Sequence, residues 1–308
     1  MTLTRRNFLK ACGAGAAMLG MGAKLAPPTL ETRPRAVPTG PTATKGVLID
    51  TTRCVGCRLC QQTCKQANNL PADEVPSTYL SATTLSVVEM KNIAPSPTKP
   101  VIKPVKRQCM HCQDAACVAV CPVGALYKTE NGCVAYDADK CIGCRYCMTA
   151  CPFGVPKYDW NSAAPKINKC AQGCMRSNPG ADRPACVQVC PNNALTYGNR
   201  TELIAMAKDR IAKDPGKYVN HVYGEKEIGG TSMLYLSGVP FEQLGFRTDL
   251  PKDPLPQYTM NVMEKVPYIL GAVLATMSGI AWWTHRAERA LETVPGENTV
   301  TVDKENSR

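Results

Sequence analysis

Eighteen cysteines in 308 residues, a turn signal between two groups of them and one charge-free run near the C-terminus predict an α+β chain. It should be built from small strand–loop–helix units in tandem, followed by a single transmembrane helix. Phe is scarce at four residues, while 25 Pro and 23 Gly mark a loop-rich body. Such a chain lacks a large aromatic core and needs another source of cohesion. Metal ligation by the cysteines would supply it.

Taken in order, the chain opens with Thr4-Arg5-Arg6-Asn7-Phe8-Leu9-Lys10 ahead of an Ala/Gly-rich run to Ala26. An arginine pair before a weakly apolar stretch is the twin-arginine export pattern, so residues 1–26 are expected to be a signal. Cys12 reads as a small apolar residue within it. No clean Ala-x-Ala triplet precedes Pro27, which leaves cleavage open. Residues 27–44 look like an extended linker, 45–200 the cysteine-bearing body and 201–262 a C-terminal extension. Gly46–Asp50 is expected to be a strand. Leu70–Pro100 is a polar insertion without a clear pattern, and Val101–Arg107 is an irregular or edge strand because of Pro104. Ala125–Lys128 and Cys133–Tyr136 read as a hairpin closed by Asn131-Gly132. Ala194–Tyr197 predicts a short strand. Thr201 then caps a helix to about Lys213, with Leu203, Ile204, Met206, Ala207 and Ile211 as its apolar set.

Val266–Trp283 runs eighteen residues without a charge. At about 1.5 Å per residue it approaches the roughly 30 Å of a bilayer core. Pro267 suits a first helical turn, and Tyr268, Trp282 and Trp283 suit the two interfaces. Residues 263–285 are therefore expected to be an anchor in the lipid bilayer. Cationic residues flank both ends (Arg247, Lys252 and Lys265 before, Arg286 and Arg289 after), so loop charge does not orient it. Export of the body does, and places the 286–308 tail in the cytoplasm.

Between these segments lie four cysteine groups. They are Cys54-x2-Cys57-x2-Cys60-x3-Cys64; Cys109-x2-Cys112-x4-Cys117-x3-Cys121-Pro122; Cys141-x2-Cys144-x2-Cys147-x3-Cys151-Pro152; and Cys170-x3-Cys174-x11-Cys186-x3-Cys190-Pro191. The third is the bacterial ferredoxin run. Three cysteines on one curled loop reach three irons of a [4Fe–4S] cubane, and the fourth points to a second cluster. Such motifs work in reciprocating pairs, so the spacing predicts four [4Fe–4S] clusters in tandem bacterial-ferredoxin-like domains. A disulfide scaffold fits badly, because triples spaced two apart strain disulfide geometry. Zinc prefers two pairs per tetrahedral site, which the third group's triplet does not offer. No Cys-x-x-Cys-His occurs, which excludes c-type haem in its usual form. Cys133 stands outside the groups as a strand residue. His111, inside Cys109–Cys112, would tune a cluster by hydrogen bonding or simply face solvent. His221 and His285 show no partner pattern, and Gly229-Gly230 reads as a turn.

The formal charge of +11 invites a nucleic-acid reading. Each cluster with its four thiolates carries roughly two negative charges, however, so four of them remove about eight. No basic stripe interleaves with aromatics. Nucleic acid is not an expected partner. No Ser/His/Asp set and no phosphate-binding glycine loop points to catalysis.

The four groups in this order, with "QCMHC", "CPVGAL", "GCRYCMTACPFGVPKYDW" and "HVYGEKEIGGTSMLYLSGVPFEQL", resemble the HybA family. These are ferredoxin-like subunits of membrane-bound, periplasm-facing [NiFe] hydrogenases of the hydrogenase-2 type. The likeness runs from Arg5 through the anchor and is most specific over Lys45–Leu244. The β subunits of formate dehydrogenases are siblings, typically without their own twin-arginine signal. The resemblance implies that the first group pairs with the fourth and the second with the third. One cluster would then take Cys54, Cys57, Cys60 and Cys190, and its neighbour Cys64, Cys170, Cys174 and Cys186. A third would take Cys109, Cys112, Cys117 and Cys151, and the last Cys121, Cys141, Cys144 and Cys147. It further implies a non-catalytic electron relay, with hydrogenase small and large subunits or a molybdopterin catalytic subunit on one side. An integral-membrane quinone-reactive subunit would stand on the other, at the periplasmic face of the inner membrane. Two departures stand out: Lys65 follows Cys64 where Pro is usual, and Ala171-Gln172-Gly173 puts one extra residue between Cys170 and Cys174.

Overall fold

The computed structural model describes residues 44–94, 101–160, 166–170 and 183–292. The arginine-pair segment, the linker up to residue 43, Cys174 and the 293–308 tail lie outside the described residues.

A three-stranded sheet organises the body. Its middle strand, β1 (Lys45–Asp50), pairs antiparallel with β8 (Leu195–Asn199) and parallel with β9 (Met233–Leu236). Because side chains alternate across a strand, β1 feeds two cores. Leu48 packs with Leu203, Ala207 and Ile211 of α5 (Arg200–Lys213) and with Leu234 and Leu236 of β9. Val47 and Ile49 face the other way, towards Val105, Met110, Tyr223, Tyr235, Phe241 and Phe246. The spacing of four within Leu203, Ala207 and Ile211 places them on one helix face. Met206, expected in that set, is 38% exposed. The helix also starts two residues earlier than expected: Asn199, rather than Thr201, is its N-cap, and Asn199 Nδ2 donates to Glu202 Oε1 at 2.7 Å.

The polar insertion contains a strand, β2 (Val87–Ala94), paired antiparallel with β3 (Val101–Arg107). Pro104 sits opposite Met90 in this two-stranded sheet, where no second neighbour needs its missing N–H. The hairpin β4 (Leu126–Lys128) and β5 (Val134–Tyr136) forms as expected, with Leu126 opposite Tyr136. The Gly132 N–H donates to Thr129 O at 2.9 Å, and Gly132 takes φ +81°, giving a four-residue Thr129–Gly132 turn. A short pair, β6 (Lys157–Tyr158) and β7 (Ile167–Asn168), closes the core of Ala115, Leu126, Val134, Cys147, Tyr158 and Ile167.

After β9 the chain forms α6 (Leu255–Met263) and α7 (Val266–Glu292). The latter continues beyond the charge-free run to 27 residues. The segment Leu255–Arg286 is long and apolar enough to cross a membrane, and none of its most apolar window is buried by the protein.

Candidate metal centre

The first and third cysteine groups share a loop conformation. Gly56 and Arg58 take φ of 75° and 61°, and Gly143 and Arg145 take 70° and 65°. These left-handed turns wrap the backbone around the first two cysteines before a helix carries the next. That helix is α1 (Leu59–Ala67) in the first group and α3 (Tyr146–Ala150) in the third. Cys57 and Cys144, which precede the arginines, are both exposed.

The last cysteine of three groups closes a common turn. In Cys121-Pro122-Val123-Gly124 the Gly124 N–H donates to Cys121 O, in Cys151-Pro152-Phe153-Gly154 the Gly154 N–H to Cys151 O, and in Cys190-Pro191-Asn192-Asn193 the Asn193 N–H to Cys190 O. The final residue takes φ between 48° and 63°, a region open to Gly and tolerated by Asn. The first group departs. Without a proline after Cys64, α1 continues for nine residues, whereas α2 (Ala116–Ala119) and α4 (Ala185–Gln188) have four each. Lys65 is buried in this longer helix and pairs with Asp73 at 2.6 Å.

Helix α1 packs on α4, and α2 on α3, so the first group meets the fourth and the second meets the third. Around Cys54, burial pushes the thiol up, and the neighbouring Cys60, Cys190 and Cys57 add to it. Burial raises Cys64 to about 11, with Cys186 and Cys60 acting alongside. Cys170 is raised by burial and by Cys64, Cys109 and Cys186. On the other side, burial drives Cys117 to about 12, aided by Cys109, Cys151 and Cys147. Cys147 rises to about 11 through burial and then Cys121, Cys141 and Cys144. Cys141 runs the other way. Burial works against its thiolate, but the nearby Tyr136 hydroxyl and the backbone of Ile167 and Gly143 hold it below the usual range.

Two cavities lie between the first and fourth groups. One is lined by Cys54, Cys57, Cys60 and Cys190 with Ile49, Val88 and Pro104. The other is lined by Cys64, Cys170 and Cys186 with Val47, Ile49 and Met233. Buried thiols that raise one another bind as thiolates only when a cationic metal core sits among them. Among the described residues, no three His, Cys, Asp or Glu side chains close on a single-ion site. Thiolates at the outer corners of a cubane stand further apart than the ligands of one tetrahedral ion. The donor set fits iron–sulfur clusters.

Several buried groups around the thiols carry no warning in the sequence. Lys106 is fully buried between the two cavities. Burial works against its ammonium, yet Cys60, Cys186 and Cys64 outweigh it and hold the pKa above the usual lysine range. Lys169 is buried too, and donates to Val134 O and Cys170 O at 2.7 and 3.2 Å. His111 is wholly buried, which overturns the solvent-facing reading. Its Nδ1 accepts from the Val134 N–H at 3.1 Å, so the proton of the neutral ring sits on Nε2, a buried atom without a hydrogen-bond partner among the described residues. Cys133 immediately precedes β5 in the main apolar core, apart from the four groups. His221 has a partner after all: its Nε2 lies 2.7 Å from Glu227 Oε1. Gly229 and Gly230 form a positive-φ turn, consistent with the reading made of them.

The profile of the 4Fe-4S dicluster domain matches residues 101–200. A protein of Nitratidesulfovibrio vulgaris is 42% identical over 254 residues, covering 79% of this chain and 68% of the relative. The hydrogenase-2 operon protein HybA of Escherichia coli O157:H7 is 39% identical over 286 residues, or 81% of this chain and 84% of that one. The chain belongs to the HybA family. The iron–sulfur subunit of the nitrate-inducible formate dehydrogenase of Escherichia coli K12 is also similar, at 32% identity over 247 residues, 76% of this chain and 82% of the relative. This HybA-family chain is thus an iron–sulfur electron-transfer subunit of an oxidoreductase complex, built on a ferredoxin-like dicluster domain of mixed α and β structure.

Proposed function

We propose that the chain carries four [4Fe–4S] clusters and relays electrons between a periplasmic hydrogenase and a membrane subunit that reacts with quinone. The observation that supports it most is the pair of thiol-lined cavities, whose walls divide the first and fourth cysteine groups as the family pairing does. The ligand sets are those given above for Cys54 to Cys190, with Cys174 completing the set of Cys64, Cys170 and Cys186. Each cluster, when bound, accepts and releases one electron. The chain's residues hold the clusters at fixed positions, bury Cys64, Cys109, Cys147 and Cys170 and leave Cys57 and Cys144 at the surface, where partners approach. No residue here acts on substrate. The arginine-pair signal would carry the loaded protein across the membrane, and Val266–Glu292 would anchor it from the periplasmic side as a single pass.

Iron and acid-labile sulfide analysis tests the cluster count: four clusters require about sixteen irons per chain, and fewer than about twelve sink it. A hydrogenase partner is favoured by the higher identity to HybA than to the formate dehydrogenase subunit. Quinone reduction by the purified membrane complex should follow H2. Activity with formate and none with H2 would assign the chain to a molybdopterin partner. Deleting residues from Lys265 onward should release the protein to the soluble fraction, and continued attachment would show that partners hold it.

A further inference from the structure

Lys106 is 4% exposed, and no carboxylate among the described residues pairs with it. Its only hydrogen-bond acceptor among the described residues is the Ser86 hydroxyl. An ammonium taken out of water without a counter-charge costs several kcal/mol, so a fold that keeps one there must supply an anion. The position of Lys106 identifies it. Ile49 and Lys106 line both cavities, and of the two only Lys106 bears a charge. The surrounding groups from each packed element are Cys60 and Cys64 of α1, Cys186 of α4, the Tyr235 ring of β9 and the Ser86 hydroxyl before β2. Every ionisable group among them is a thiol or a phenol. The other buried lysines differ: Lys65 has Asp73, and Lys169 has two backbone carbonyls.

We propose that Lys106 is the shared counter-ion of the two clusters bound by the first and fourth cysteine groups, and that its fixed positive charge sets their reduction potentials. The inference rests on the four-cluster reading. A cluster gains a negative charge when it takes an electron, and a buried cation against its ligands stabilises that reduced form in a medium that screens charge poorly. Lys106 should therefore raise both potentials. Because one cation faces two clusters, removing it should lower both potentials together. Lys106 is a positioning residue for charge and ligates nothing.

The test compares Lys106→Met, which keeps the stem and removes the charge, with Lys106→Arg, which keeps the charge. Reductive titration of the full-length protein in its complex, followed by electron paramagnetic resonance, reads the midpoint of each cluster. Two of the chain's four midpoints should move to lower potential in Lys106→Met and stay near native in Lys106→Arg. Loss of about half the iron in Lys106→Met with full iron in Lys106→Arg supports the same role. Unmoved midpoints in Lys106→Met, an equal shift of all four, or a shift or iron loss of the same size in Lys106→Arg overturns it. A native content below about twelve irons overturns the four-cluster reading itself, and that measurement is made first.

Discussion

The two halves of the body use one ligand-loop design on different supports. The half that joins the first and fourth cysteine groups leans on the β8–β1–β9 sheet, with α5 on one face and a cluster of Tyr223, Tyr235, Phe241 and Phe246 on the other. The half that joins the second and third groups has a hairpin of three-residue strands, a pair of two-residue strands and helices of four and five residues. Its core contains Cys147, and Cys112, Cys117 and Cys121 pack against it. A sheet and helix with their own apolar cores can stand without metal, whereas a hairpin and single helical turns are marginal in water. The comparison teaches that ligation does most of the structural work in the second half and much less in the first.

Stripping the iron should break the molecule unevenly, and this is the largest effect expected. Amides of Leu126–Tyr136 should lose their hydrogen-exchange protection entirely while those of β1 stay protected; equal loss in both halves would refute the contrast. The first half has its own weak point in Leu48, which is fully buried under α5. Leu48→Ala should destabilise the sheet by about 2–5 kcal/mol, read from the exchange free energies of β1 amides, with the hairpin amides unaffected. Lys65→Pro would impose the rule of the other three groups on the first. It removes a helical hydrogen bond and the Asp73 ion pair, and should cost about 3 kcal/mol in α1. An unaltered α1 would show that the extra turn contributes nothing. The smallest effect is expected of Pro152→Ala, where the turn is already held by the Gly154 N–H bond to Cys151 O; a loss below ~1 kcal/mol, from the freer unfolded chain, should appear in thermal unfolding.

Much of the site was legible because its chemistry is local. Three cysteines spaced for one cubane must lie on one loop, and a proline after the fourth must turn the chain, whatever surrounds them. The hairpin between the second and third groups, the strand entering the first and the apolar C-terminal helix were local in the same sense. The hairpin's turn was equally local: Asn131-Gly132 closes it, with Gly132 at φ +81°. The histidines were harder to read. His111 is buried by chain from far along the sequence, Val134 and the β9 region, and His221 meets Glu227 six residues on, a pairing no spacing rule announces.

The sequence by itself determined the spacing and order of the cysteine groups, the helix apolar enough for a membrane and, through the run of identities, the family. Tertiary structure alone decided that β9 should lie parallel to β1, with Met233 opposite Val47, and so complete the support of the first half. It also decided that Lys106, one lysine among the chain's 36 basic residues, should be sealed between two thiol-lined cavities. The physical reason is range. Loop conformation and helix hydropathy are summed over neighbouring residues, but parallel pairing and the solvation of a charge depend on what the fold brings from far along the chain.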